Sequence, residues 1–146
     1  MVPGRRDRRG RRLRLADTQD RDDITDLVYR LGACLDEHLF EDLRTLLTDD
    51  VTARTPGGEA HGIDAVVAQA THNHAGYRRL QHVITNLLID LDGDRAAVRA
   101  NLVAVLVRPA DHGQAMLGSV YRFRLRRTPR GWRFTHVRVD PVWQTG

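Results

Sequence analysis

Near residue 77 the apolar period of this chain changes, and that change limits its fold more than any other feature. Upstream, Ile24, Leu27, Val28, Leu31, Cys34 and Leu35 recur at spacings of three and one, which is a helical stripe. The spacing predicts a first helix over Asp20 to Asp36, with Asp20, Asp22 and Asp23 in the first turn, where the helix dipole favours negative charge. Leu39, Phe40, Leu43, Leu46 and Leu47 predict a second, short helix from Phe40 to Leu47, ended by Thr48-Asp49-Asp50. Val51 to Thr55 reads as a short strand, Pro56-Gly57-Gly58 as a turn, and Gly62 to Thr71 as a third helix led by Ile63, Val66 and Val67.

Downstream the residues alternate. His82 to Leu91 ends at Asp92-Gly93-Asp94, an Asp-Gly turn of the kind that joins antiparallel strands. Ala96 to Arg108, Met116 to Arg127 and Trp132 to Val139 follow as three further strands across turn-rich links. Helices first and hairpin-linked strands after them is the order of an α+β domain. At 146 residues the chain makes one such domain.

The charge is unevenly placed. All 23 basic residues are arginine, and seven of them (Arg5, Arg6, Arg8, Arg9, Arg11, Arg12 and Arg14) precede residue 16 against the single acid Asp7. The remainder carries more acids than arginines. Residues 1–17 are therefore read as a disordered Arg-rich tail and residues 18–146 as the folded domain. An Arg-rich arm can neutralise phosphates, but nothing aromatic is interleaved to stack bases, so nucleic acid is not the expected partner. The tail lacks the apolar stretch of a secretory signal, and apolar runs such as Asn101 to Val107 are far too short to span a bilayer. A lone cysteine, Cys34, excludes an internal disulfide and suits a reducing cytoplasm. Its place on the apolar helix stripe assigns it to packing rather than nucleophilic chemistry.

Alternation sorts the strand residues by face. Trp132, Phe134, His136 and Arg138 fall on one side of the last strand. Leu117, Ser119, Tyr121, Phe123 and Leu125 share the covered side of the third. Asn101 lines up with Val103, Val105 and Val107 in the second, and His82 with Ile84, Asn86 and Leu88 in the first. An inner face that mixes His, Asn, Tyr and Arg with aliphatic residues reads as the lining of a pocket.

Four stretches carry a family resemblance: the helix Ile24 to Asp36, Leu43 to Val51 (LRTLLTDDV), Gln81 to Ala97 (QHVITNLLIDLDGDRAA) and Gly131 to Trp143 (GWRFTHVRVDPVW). In this order they resemble the nuclear-transport-factor-2-like superfamily, and within it the SnoaL-like group of polyketide cyclases, dehydratases and isomerases. The resemblance implies a cone-shaped barrel of curved antiparallel sheet wrapped around three N-terminal helices, a ligand cavity at its wide end, and homodimers paired through the sheet. It also implies that Asp36 and His82 occupy the positions of the family's catalytic Asp and His. Many relatives carry a tyrosine five residues before that Asp; here the position is Leu31, and Tyr29 lies about 200° away round the helix.

An Asp and a His in an apolar cavity can divide proton transfers between them. Either Asp36 or His82 would remove a proton next to a carbonyl, its partner would protonate a leaving hydroxyl or a carbon, and Tyr121, Asn101 or Arg138 would hold the enolate oxygen. His136 joins these three as a substrate-binding candidate. Such chemistry on a hydrophobic oxygenated small molecule needs neither a metal nor an organic cofactor, and none is expected. His72, His74 and His82 cluster in sequence, but His72 and His74 form only an H-x-H pair without a further ligand at zinc spacing. The alternative is a binding or assembly module that uses the same cavity without turnover.

Overall fold

The computed structural model describes residues 6–146, with side chains from residue 15 onward. Helix α1 (Arg6–Asp36) is followed by a 3-10 turn (Phe40–Thr45), strands β1 (Leu47–Thr55) and β2 (Gly58–His61), helix α2 (Ile63–His74), and strands β3 (Arg79–Asp92), β4 (Arg95–Val107), β5 (Gln114–Thr128) and β6 (Gly131–Thr145). The six strands form one sheet in the order β2-β1-β6-β5-β4-β3, antiparallel except for the β1–β6 pair. It curves around α1 and α2 without closing, so β2 and β3 remain its edges.

The α+β class and the helix-then-strand order are as expected, with local differences. Helix α1 starts at Arg6 rather than Asp20, since Arg and Leu are good helix formers and extend the element upstream. Of the tail expected to be disordered, residues 6–17 are thus helical, and residues 1–5 lie outside the described residues. The second helix is only a 3-10 turn, because Leu46 and Leu47 are taken by the sheet: Phe134 N–H donates to Leu46 O at 2.9 Å, and Leu47 is the register partner of Phe134. Strand β2 pairs with β1 over Gly58–His61, a stretch to which the sequence pattern assigns no strand.

Leu27, Val28, Leu31 and Leu35 of α1 bury the stripe seen in the sequence in one core cluster with sheet residues such as Ile84, Phe123, Leu125 and Phe134. A fully buried side chain such as Phe123 or Phe134 contributes roughly 2–3 kcal/mol. The helix ends at a fixed point. His38 has φ 56°, its N–H donates to Leu35 O at 3.3 Å, and Leu39 N–H donates to Cys34 O at 2.8 Å. This pair of bonds around a left-handed residue is a Schellman cap, and it makes Asp36 the last helical residue. One turn earlier, a Cβ on Gly32 would sit 3.1 Å from Ile84 Cδ1 and 3.6 Å from His82 Cβ. Gly32 therefore lets α1 lie close against β3.

Three irregularities decide which side chains face inward. In β3 the register slips between Thr85 and Leu88, where Asn86 takes φ 57°. Ile84 is buried before the slip, and Leu87, Ile89 and Leu91 pack on the core after it, which leaves Leu88 63% exposed. In β6, Phe134 pairs with Leu125 and His136 with Arg124, so that Thr135 is the extra residue of a bulge. Near the end of the same strand, Ser119 pairs with Pro141 and Gly118 with Trp143, which makes Val142 a second extra residue. Among the described residues no helix is long and apolar enough to cross a membrane.

Candidate active site

Where α1 ends over the start of β3, Asp36 meets His82. Both carboxylate oxygens accept the backbone N–H of His82, at 2.9 and 3.1 Å, and Oδ1 also lies 2.6 Å from His82 Nδ1. A carboxylate accepts, so Nδ1 carries the proton, and the lone pair of the neutral ring sits on Nε2. The His82 side chain is 2% exposed and that of Asp36 23%. His82, with Asp36 behind it, lines a cavity of about 520 Å³, within the range usual for small-molecule sites. Its lining is mostly apolar, from residues such as Leu102, Ala104, Leu106 and Val139.

His74 and Tyr121 reach the same cavity. The His74 ring lies 5.3 Å from that of His82, centroid to centroid, and its Nδ1–H donates to Ala70 O at 2.7 Å. Burial, and secondarily the neighbouring His82, pushes the His74 pKa down, partly opposed by its bond to Ala70 O. The neutral ring offers a second Nε2 lone pair. Tyr121 is almost fully buried, and burial, reinforced by the Asp36 charge, raises its phenol well above the ordinary value. It therefore stays a hydroxyl, able to donate to a developing oxyanion. The Cys34 thiol is also pushed up, chiefly by burial, in keeping with a packing role.

Of the six residues singled out from the sequence, the structure brings Asp36, His82 and Tyr121 together and sends three elsewhere. His136 and Arg138 are exposed on the outer face of the sheet, because the Thr135 bulge reverses the alternation and turns Val137 and Val139 inward instead. Asn101 is also on the outer face. Its strand neighbours Ala100, Leu102, Ala104 and Leu106 fill the inner one, and Asn101 Oδ1 accepts Arg99 Nη1 at 2.8 Å. The matching error in β3 is Asn86, which the bulge leaves exposed.

His74 is the site residue that sequence reasoning missed. Its signal was its spacing from Val67 and Ala70, which puts it on the buried face of α2, whereas His72 is exposed. The three histidines consequently do not converge. Leu31, at the position where many relatives carry tyrosine, is buried in the core, while Tyr29 is 50% exposed.

Comparison with known proteins agrees with this fold. A family model described as a SnoaL-like domain matches residues 16–138. The chain is 29% identical over 127 residues to the uncharacterized protein Rv2910c of Mycobacterium tuberculosis, covering 83% of this chain and 84% of that one. Its fold superposes on the Kfla4162 protein from Kribbella flavida with a TM-score of 0.82 at 23% identity, covering 89% and 95% of the two chains. It also superposes on a type 2 hexachlorocyclohexane dehydrochlorinase (LinA) with a TM-score of 0.80 at 20% identity, covering 90% and 89%.

Proposed function

Because the chain belongs to the SnoaL-like family, whose model spans residues 16–138, we propose that it is an acid/base enzyme of the cyclase, dehydratase or isomerase kind. Its substrate is a hydrophobic oxygenated small molecule, such as a polyketide or polycyclic ketone, held in the cavity between the end of α2 and the inner face of the sheet. The observation that carries this reading is the Asp36–His82 pair: a buried imidazole, fixed through Nδ1 by a carboxylate, at the wall of an apolar cavity.

The chemistry follows from that arrangement. His82 Nε2 takes a proton from carbon next to a carbonyl, and Asp36 stabilises the imidazolium that forms. The C–H electron pair moves toward the carbonyl, whose oxygen gains negative charge and accepts a hydrogen bond from the Tyr121 hydroxyl. When a hydroxyl sits on the next carbon, the enolate collapses to a C=C bond, the C–O bond breaks, and the imidazolium proton leaves with that oxygen as water. Without a leaving group, return of the proton to another carbon moves a double bond, and attack of the enolate carbon on a second carbonyl closes a ring, the oxygen of that carbonyl taking the imidazolium proton. None of these steps calls for a metal or an organic cofactor. Loss of hydrogen chloride, the reaction named for the dehydrochlorinase of similar fold, likewise takes a proton from carbon.

Pairing of two copies through the apolar half of the outer sheet face, where Val83, Met116 and Trp143 are 38–45% exposed, and a cytoplasmic location belong to the same proposal. A specific observation favours a second reading: the buried Leu31 removes a tyrosine that many relatives have, which suits a module that holds a ligand without turning it over. Mass spectrometry of a metabolite extract incubated with wild type, His82→Ala and Asp36→Asn separates the two. Conversion by wild type alone, with loss of water or unchanged mass, is expected. Equal conversion by all three would remove the pair from the mechanism, and a compound that co-purifies unchanged with every variant would select the binding module.

A further inference from the structure

The outer face of the sheet, on the far side from the cavity, carries an unusual row of charge. Arg54 on β1 is the register partner of Arg138 on β6, Arg138 of Arg122 on β5, and Arg122 of Arg99 on β4. Four guanidinium side chains thus stand abreast on four adjacent strands, about 4.8 Å apart from strand to strand. Arg124 and His136 pair in the next row, and Arg95, Arg126 and Arg133 in the one after it. Like charges directly opposite each other destabilise a sheet, so this pattern needs anions.

The chain supplies few of them. Asp140 is shared, accepting Arg138 Nε at 2.8 Å and Arg122 Nε at 3.2 Å. Glu59 lies 3.8 Å from Arg54 at the sheet edge. Arg99 donates only to the neutral Asn101 oxygen, and among the described residues no carboxylate comes within ion-pair distance of Arg99 or Arg124. The row floors a cleft of about 660 Å³, whose far end on β3 is formed by the exposed Leu88, the register partner of Arg99, and by Asp90.

We propose that this cleft binds a small molecule bearing two or more linked phosphate groups, an oligophosphate ester. Arg99, Arg122 and Arg138 hold the phosphates, and Leu88 packs on the organic part. Guanidinium forks match phosphate oxygens two at a time, and a linear run of phosphates offers its charges in a line, as the arginines do. One carboxylate can neutralise only one or two members of such a row, as Asp140 does. The cleft has the volume of a small-molecule site. The inference is independent of the chemistry proposed for His82, because the two sites lie on opposite faces of the sheet.

Calorimetric titration of the full chain with sodium tripolyphosphate, with orthophosphate as control, tests it. Saturable binding at least about tenfold tighter than orthophosphate is expected, weakened at least about tenfold by Arg122→Gln with Arg138→Gln. Arg99→Gln breaks no ion pair and so leaves the fold undisturbed, and it should weaken binding in the same direction. A variant with Arg5, Arg6, Arg8, Arg9, Arg11 and Arg12 changed to Gln should bind as wild type does, as should His82→Ala. The proposal is overturned if the tail variant loses binding while the row variants keep it, or if orthophosphate binds equally well. It is equally overturned if only a single-stranded oligonucleotide binds, or if the row substitutions merely dissociate a dimer that takes up no tripolyphosphate.

Discussion

Asp36 takes two N–H groups of His82, the backbone amide and the ring Nδ1–H, on one carboxylate. Position and tautomer of the imidazole are therefore set by the same group. In wild type, nitrogen NMR should find neutral His82 as the Nδ1–H form, and Asp36→Ala should convert it to a mixture of tautomers. Turnover of a responsive substrate should fall by about 10²–10⁴-fold in His82→Ala, the usual worth of a positioned base. An unchanged tautomer in Asp36→Ala would dismiss the orienting role.

The approach of α1 to β3 at Gly32 sets the distance between these partners. Gly32→Ala gains about 1 kcal/mol of helix propensity but places a methyl 3.1 Å from Ile84 Cδ1, so helix and strand must part by a few tenths of an ångström. Thermal melting should shift by only a few degrees, whereas turnover should drop several-fold as Asp36 draws away from His82. Parallel losses of stability and turnover would speak for general damage instead.

Acid sensitivity should follow His74. Its folded pKa is held below the ordinary imidazole value of 6.5, mainly by burial, so between 6.5 and that lower value the unfolded chain binds a proton that the folded chain does not. Above pH 6.5 the group is neutral in both states and contributes nothing. Stability should therefore decline as pH falls below 6.5. His74→Phe should flatten that part of a urea-denaturation series, and an equally steep decline would exonerate the residue.

A second titration acts lower on the scale. Arg127 grips Asp20 with two parallel bonds of 2.8 and 2.7 Å, stands over the Trp132 ring at 4.6 Å, and shares Asp20 with the Trp132 Nε1–H at 3.2 Å. The bond from Arg127, more than any other contact, draws the Asp20 pKa below 3.8. This stabilisation is complete above pH 3.8 and is lost as pH falls through the folded value. Asp20→Asn should cost about 1–2 kcal/mol at neutral pH, part of the bond strength being screened at the half-exposed arginine. Arg127→Lys should cost nearly as much, because it keeps the charge but not the fork. A neutral Arg127→Lys would show that charge alone matters there.

Periodicity made the helix-to-strand order legible, and it placed Tyr121, Phe123 and Leu125 on the covered face of β5, where the structure has them. The Asp36–His82 pair came through family resemblance, since the two residues are 46 positions apart and only the fold joins them. Asn86, His136 and Arg138 were misplaced for a common reason. Alternation is a count by twos, and each bulge adds one. Asn86 is admissible at φ 57° and so hints at its bulge, but Thr135 carries no such mark. Asn101 was sorted correctly with Val103 and Val105, yet nothing in β4 alone says which of its two half-apolar faces is inward. The register with Tyr121 and Ser119 decides that.

The bulge at Thr135 also bears on how relatives of this chain are compared. A homologue of the same length whose strand ran on from Phe134 without the bulge would turn its counterparts of His136 and Arg138 into the cavity and those of Val137 and Val139 out to the arginine-bearing face. Two aligned columns could then be identical in letter and opposite in chemistry. In this part of the family, the presence of a bulge after the counterpart of Phe134 must be established before any polar residue beyond it is credited to one side of the sheet or the other.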